Sequence, residues 1–185
     1  MGRQVAVTSA GFCEHAVKRT DVSMPEMVSE AIQNCLDNIP SMSIDDIDMF
    51  VNGNMPAFEG ANIPELWMTD WMGARNKPVM RVTTGGTTGG SVFIAGYYAV
   101  SAGLPGVDTV MAIAFEHQSI GDTTVGLSSV ALGELTATQS LGIPFQKLKR
   151  LVSAGAAIGI ASYQATNYMR TSKILEEDFD CIGVQ

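Results

Sequence analysis

Residues 79–102 change character twice within a short span, and this constrains the fold more than any other stretch. Val79 to Thr83 has the composition of a short strand, and Thr83 to Gly90 then sets four glycines and four threonines in eight residues. Gly90 to Ala102 has helical length, with Gly90, Ala95, Ala99 and Ala102 on one face, and Gly103 and Pro105 close it. Thr109 to Phe115 follows as a near-continuous apolar run, the pattern of a central strand buried on both faces. A strand, a glycine bend, a helix and a second apolar strand in succession are the alternation expected of an α/β fold with a mainly parallel sheet.

The flanking sequence repeats the alternation. Gln4 to Thr8 reads as a first strand. Ser23-Met-Pro-Glu26 is a capping box with proline in the first turn, where its missing N–H costs nothing. The helix it opens carries Met27, Ala31, Ile32 and Cys35 on one face and is expected to end before Pro40. Asp48 to Asn52 is a strand stopped by Gly53-Asn54, and Pro64 to Met72 allows a helix ended by Gly73. From Gln118 to Pro144 the chain is rich in Gly, Ser and Thr, a long excursion of the kind usually tied to function. Lys147 to Met169 returns to helix with Ala154, Ala157, Ile158 and Ala161 as its packing stripe. Leu175 to Asp178 makes a turn, and Cys181 to Val184 is a last strand.

These elements predict an α/β fold: a mixed, mainly parallel five-stranded sheet with helices on both faces. The expected organisation is a core over 1–117, a loop excursion over 118–146, and a closing helix and last strand of the same core over 147–185.

Composition removes several function classes. With 11 basic against 19 acidic residues and a net charge of −8, the chain lacks the basic field that nucleic-acid binding needs. The local cluster Lys147, Lys149, Arg150 is a solvated helix face or a contact for an anionic ligand. Cys13, Cys35 and Cys181 match no metal-ligand spacing, and with His15 and His117 as the two histidines no metal site is expected. The start, Met-Gly-Arg-Gln, lacks the apolar core of a signal peptide, and no run approaches a membrane span. The expected compartment is the reducing cytoplasm, without a membrane partner. Hydrophobic residues at 46% and 11 methionines suit extensive burial, part of it at an interface.

In open α/β sheets functional groups collect where strands end and helices begin. That selects two loops, Thr83–Ser91 and Glu116-His117-Gln118. The first is neither a Walker A loop, having no Gly-Lys-Ser/Thr, nor a GxGxxG fingerprint. Its glycines suit sharp turning, its threonines offer hydroxyls, and the helix start offers N–H donors to a carbonyl oxygen or an anion. Close helix packing explains the same glycines equally well. Glu116 and His117 are an acid/base pair tuned by burial, or a rim pair satisfied by water and backbone. His15 reads as solvated, Cys13 and Cys181 as buried structural thiols, and Trp67 with Trp71, four apart, as packing residues.

In order and in motif, the chain resembles the N-terminal half of thiolases, most closely the sterol-carrier-protein-type branch and its non-thiolytic relatives. The resemblance rests on Val5–Phe12, the capped helix from Ser23, Ile44-Asp-Asp-Ile-Asp-Met-Phe-Val-Asn-Gly53, the turn-helix Gly85–Gly103, the strand ending Ala114-Phe-Glu116, and the acidic turn and strand in Thr171–Val184. Together these pieces cover nearly the whole chain. Within the resemblance Asp45, Asp46 and Asp48 match the family's acidic turn before its second strand rather than a metal cluster. The resemblance implies one thiolase-type half acting on an acyl-CoA, with the coenzyme A thioester as substrate and no covalently bound cofactor. It further implies an acyltransferase or aldolase of lipid metabolism.

Two departures qualify it. The family's turn reads roughly Asn-x-Cys-x-Ser/Thr-Gly, and alignment on Thr88-Gly89 puts Gly86 where the nucleophilic cysteine belongs. Glycine cannot supply a thiolate. Thr87 and Thr88 are the remaining candidate nucleophiles, each needing an adjacent base, with Glu116 and His117 as candidate acid/base residues. Thr84, Gly85, Gly86, Gly89 and Ser91 are the expected substrate-binding positions. The pattern resembles thiolase-fold enzymes that lack the cysteine and cleave carbon–carbon bonds by retro-aldol chemistry. The second departure is length: a thiolase has two similar halves, and this chain corresponds to the first. The expectation is therefore a hetero-oligomer with another thiolase-like chain or the missing C-terminal half. By the same resemblance, a small zinc-ribbon and OB-fold acyl-CoA-binding protein is a further partner. Two alternatives stand beside the enzyme: a catalytically silent thiolase-like subunit that scaffolds an active partner, and a non-catalytic α/β domain binding an anion or coenzyme A.

Overall fold

The computed structural model describes residues 2–16, 19–55, 63–117, 165 and 167–172. The chain forms two compact units, Met1–Asp122 and Thr123–Gln185. In the second unit the described residues, 165 and 167–172, are helical. They overlap the end of the predicted helix Lys147–Met169. The excursion over 118–146, the turn at Leu175–Asp178 and the strand at Cys181–Val184 lie outside the described residues.

The first unit is α/β. Its described elements run α1 (Met24–Asp37), a 3-10 turn (Ile44–Asp46), β1 (Met49–Gly53), α2 (Pro64–Trp67), α3 (Thr69–Met72), β2 (Val79–Arg81), a second 3-10 turn (Gly85–Thr87), α4 (Thr88–Ser101) and β3 (Val110–Ala114). The three strands form one parallel sheet in the order β2-β1-β3. Asn52 lies level with Arg81 on one side and Ile113 on the other.

Strand alternation divides the core between the two sheet faces. Phe50, Met111, Ile113 and Phe115 pack with Met27, Val28 and Ile32 of α1 and with Met68 and Met72 at α3. Met49 and Val51 turn to the opposite face and pack with Val92 and Ala99 of α4. Helices thus cover both faces, as the alternating sequence predicts. Phe50 and Val51 are fully buried back to back at the centre of the sheet. Truncating Phe50 to alanine removes contacts worth about 3–5 kcal/mol.

The capping box forms as read. Glu26 N–H donates to Ser23 Oγ, and the Glu26 carboxylate accepts from Ser23 N–H at 2.7 Å. The buried stripe of α1 is Met24, Met27, Val28 and Ile32, while Ala31 and Cys35 are only half-buried. The acidic turn closes on itself. Asp46 accepts from Ser43 N–H, and Asp48 accepts from the Asp108 and Thr109 N–H groups at 2.9 and 2.8 Å. Those two backbone donors hold the Asp48 carboxyl below its ordinary range. Among the described residues no group of acidic, His or Cys side chains could hold a metal ion.

Several expectations are corrected. Gln4–Thr8 pairs with no strand among the described residues, and Val7 is exposed. This segment is instead tied by single bonds. Ser9 Oγ donates to Cys35 O, Asn38 Nδ2 to Ala10 O, and Arg3 N–H to Ser101 O. Thr109–Phe115 is not central among the described residues but shortens to the edge strand β3, with Ala112 and Ala114 exposed. The helix expected over Pro64–Met72 breaks at Met68 into two turns, and Gly73 ends the second at φ 72°. Trp67 and Trp71 do not pack into the core. They are exposed, and their neighbours Met68 and Met72 are buried instead. The buried side of α4 is Thr88, Val92, Gly96 and Ala99, with Gly90 exposed. No helix among the described residues is long and apolar enough to cross a membrane.

Candidate functional site

The carboxyl ends of all three strands meet the start of α4. Val82 N–H donates to Asn52 O at 2.8 Å, and Phe115 N–H to Gly53 O at 3.1 Å, so the three chains stay in register past the sheet. Gly53 is where they come closest. A Cβ built there would stand 2.3 Å from Val82 O, 2.5 Å from Val92 Cγ2 and 2.7 Å from Thr88 Cγ2. Glycine at the end of β1 therefore lets the Gly-Thr turn settle directly on the sheet. One step on, Thr83 Oγ1 donates to Asn54 O at 3.1 Å, and Met55 N–H donates to the Glu116 carboxylate.

Within the turn, Gly85 has φ 67°, a conformation open to glycine at no steric cost. The hydroxyls knit the turn together. Thr88 Oγ1 donates to Gly85 O at 2.8 Å and accepts from Thr84 N–H at 3.0 Å. Thr87 Oγ1 donates to Thr84 O at 3.0 Å, and Thr84 Oγ1 donates to Ser91 Oγ at 2.7 Å. The hydroxyl protons of Thr87 and Thr88 thus point at backbone carbonyls of their own turn rather than at a carboxylate or imidazole. Thr87, at the N-cap of α4, makes no side-chain capping bond to the helix. Thr88 N–H, the first of α4, bonds back to Gly85 O, so the 3-10 turn runs directly into the helix.

Gly86 behaves unlike Gly85 and Gly53. Its φ lies outside the left-handed region, and a Cβ placed on it would meet nothing within 4 Å among the described residues. Neither the backbone nor the packing demands glycine there. Gly89 is in ordinary contact with Ala114, its would-be Cβ 3.7 Å from the alanine Cβ, which brings the end of β3 to the same helix start.

The two sequence-selected loops join at one point and diverge at another. Glu116 belongs to the cluster through Met55. His117 is 2% exposed, and its Nε2 bonds the Arg19 carbonyl oxygen at 2.6 Å. Arg19 escaped sequence reasoning altogether. It is 8% exposed and gathers the loop before α1: Nε to Asp21, Nη1 to Glu14 O at 3.0 Å, and Nη2 to Glu30 at 3.2 Å. Arg19 holds the Asp21 carboxyl below its ordinary range. Glu30 is lowered as well, by the Glu14 N–H first and Arg19 second.

Also missed were Asn52, Asn54 and Arg81, whose polar atoms sit under the strand ends. Asn52 and Asn54 are each 1% exposed, and their Oδ1 atoms, like Arg81 Nε, have no hydrogen-bond partner among the described residues. An asparagine ending an apolar strand is a signal the sequence did carry. Neither a scan against protein-family models nor a search of curated proteins finds a match for this chain.

Proposed function

We propose that the chain is a thiolase-fold component of an acyl-CoA enzyme that makes or breaks carbon–carbon bonds. In this reading its sheet is the mixed five-stranded sheet of one thiolase-type half. The observation that carries it is the strand–turn–helix at the carboxyl ends of three parallel strands, with side-chain-free space at Gly86. The positive end of the α4 dipole at this turn suits the carbonyl oxygen of a thioester, whose charge grows as an enolate forms. With no thiol at position 86, the chemistry favoured is retro-aldol. A base takes the proton of a β-hydroxyl, the Cα–Cβ bond breaks as the new carbonyl forms, and the thioester enolate is reprotonated at Cα. Glu116 and His117 are the acid/base candidates, and Thr84, Gly85, Gly86, Gly89 and Ser91 line the thioester side.

A partner chain completes the site in this reading. α4 carries no charged residue, and its outer face exposes Phe93, Ile94, Tyr97 and Tyr98, Tyr98 by 64%. A helix apolar on every side is normally covered on every side. The occupant expected from the resemblance is a second thiolase-like half, with a zinc-ribbon and OB-fold acyl-CoA-binding protein as a further partner, in the cytoplasm. The commitment of the Thr87 and Thr88 hydroxyls to backbone oxygens favours a second reading, a silent subunit that scaffolds an active one.

The test is purification of the full chain with and without its co-expressed genomic neighbours. Acyl-CoA binding and cleavage of a β-hydroxyacyl-CoA and a β-ketoacyl-CoA are then measured. Cleavage of the hydroxy substrate by the assembled complex, lost on Glu116→Gln or His117→Gln in this chain, supports the enzyme. Cleavage that survives both substitutions supports the scaffold. Failure of every assembly to bind acyl-CoA overturns both.

A further inference from the structure

The buried contact between His117 and Arg19 has a consequence for proton chemistry. A backbone carbonyl only accepts hydrogen bonds, so the 2.6 Å contact from His117 Nε2 to Arg19 O requires Nε2 to carry the proton. The ring is 2% exposed, which shields this bond from competing water. The carbonyl in turn is immobilised by its own side chain. The Arg19 guanidinium is pinned to Asp21, to Glu14 O and to Glu30 of α1. Glu30 is fixed a second time by accepting from Glu14 N–H at 2.7 Å. A single residue thus ties the loop before α1, the helix itself and the end of β3 together.

We propose that Arg19 is a positioning residue for His117: its anchored carbonyl accepts the Nε2–H hydrogen bond and so fixes the orientation of the imidazole and which ring nitrogen carries the proton. Asp21, one of the groups that anchor Arg19, is itself electrostatically coupled to His117. A role for this imidazole toward an acyl thioester rests on the function proposed above. The tautomer and its anchor do not.

The test therefore needs no substrate. With two histidines in the chain, ring 15N signals are assigned by comparing wild type with His15→Gln. In the full-length wild type the His117 Nε2–H signal is expected to persist in water and to show a coupling through the hydrogen bond to the Arg19 carbonyl carbon. Arg19→Met keeps the carbonyl but frees it. Nε2–H exchange should then quicken about tenfold, the loss of one net hydrogen bond, and the coupling should vanish. Arg19→Lys should recover part of the protection by keeping a cation near Asp21 and Glu30. Should Arg19→Met fail to fold, Glu30→Gln removes one anchor only and should quicken exchange about threefold with the Val51 and Val92 methyl signals unchanged. An unprotonated Nε2 at neutral pH overturns the proposal, and so does wild-type exchange in a folded Arg19→Met or in Glu30→Gln. Acyl-CoA assays that fail while these signals behave as expected would count against the proposed function alone.

Discussion

Gly53 and Gly86 both belong to the candidate site, yet the structure assigns them opposite costs of substitution. An alanine at Gly53 would force its Cβ to 2.3 Å from the Val82 carbonyl oxygen, with Val92 Cγ2 and Thr88 Cγ2 at 2.5 and 2.7 Å. Overpacking a core by one methyl costs about 1–3 kcal/mol where side chains can shift. Here the nearest atom is backbone, and the next residue-pair bond, Val82 N–H to Asn52 O, resists its withdrawal. The other two atoms belong to buried side chains, so relief in that direction is limited too. The expected loss for Gly53→Ala is at the upper end, about 3 kcal/mol. Gly86→Ala meets no atom within 4 Å and no unfavourable φ. Its expected effect is within about 0.5 kcal/mol, or slightly stabilising through the unfolded chain. Urea unfolding followed by tryptophan fluorescence separates them, because Trp67 and Trp71 both lie in the unit Met1–Asp122 and are the chain's two tryptophans. With a slope of about 1–3 kcal/mol per molar urea, Gly53→Ala should lower the midpoint by about 1–3 M and Gly86→Ala should leave it in place. A Gly53→Ala midpoint matching wild type, or a Gly86→Ala loss above about 1 kcal/mol, would refute the close approach of β1 to the turn and the open space above it.

Ser23→Ala removes the acceptor for the Glu26 N–H and should cost about 1 kcal/mol in the same unfolding measurement. Asp48 is held below its ordinary range by two backbone N–H groups, so its contribution is present above that range and is lost as pH falls through the lower folded value. Asp48→Asn should therefore flatten the decline in midpoint below the ordinary aspartate value of about pH 4, and an unchanged acid limb would contradict the clip to Asp108 and Thr109. Phe93→Lys with Tyr98→Lys places charge on exposed positions of α4. The isolated chain should change by no more than about 0.5 kcal/mol per site, whereas co-purification of a partner should be abolished. A partner retained by the double variant would remove this face from the interface.

The elements that could be read from the sequence were those whose local chemistry already decided them. Ser23 and Glu26 satisfy each other's backbone donors within four residues, so α1 needed no tertiary information. The turn after β2 was legible for a similar reason, since four glycines leave few alternatives to a bend. Burial was harder to read. Val7 and the run Thr109–Phe115 carry strand composition, but composition does not name the neighbour that completes a ladder, and β3 ends as an edge among the described residues. Trp67 and Trp71 fall on either side of the break at Met68, and both stay exposed. Met68 and Met72 won the inner side because unbranched side chains fill the space under Phe50. Arg19 and its carbonyl lie 98 residues from His117, a separation at which no spacing rule operates.

The three glycines at the strand ends therefore answer different demands. Gly85 is set by a positive φ and Gly53 by crowding, and either constraint would hold whether or not the site binds anything. Gly86 answers to neither, since a side chain there would have both a permitted backbone and free space. Gly90 in the first turn of α4 is equally open, so the turn offers bare backbone at two positions to whatever approaches it. If the turn served only to pack α4 on the sheet, alanine at 86 would do as well, because packing is carried by Gly53, Thr88 and Val92 beneath it. In the proposed function the thioester contact is thus best sought at the Gly86 backbone, with Glu116 and His117 as the acid/base candidates.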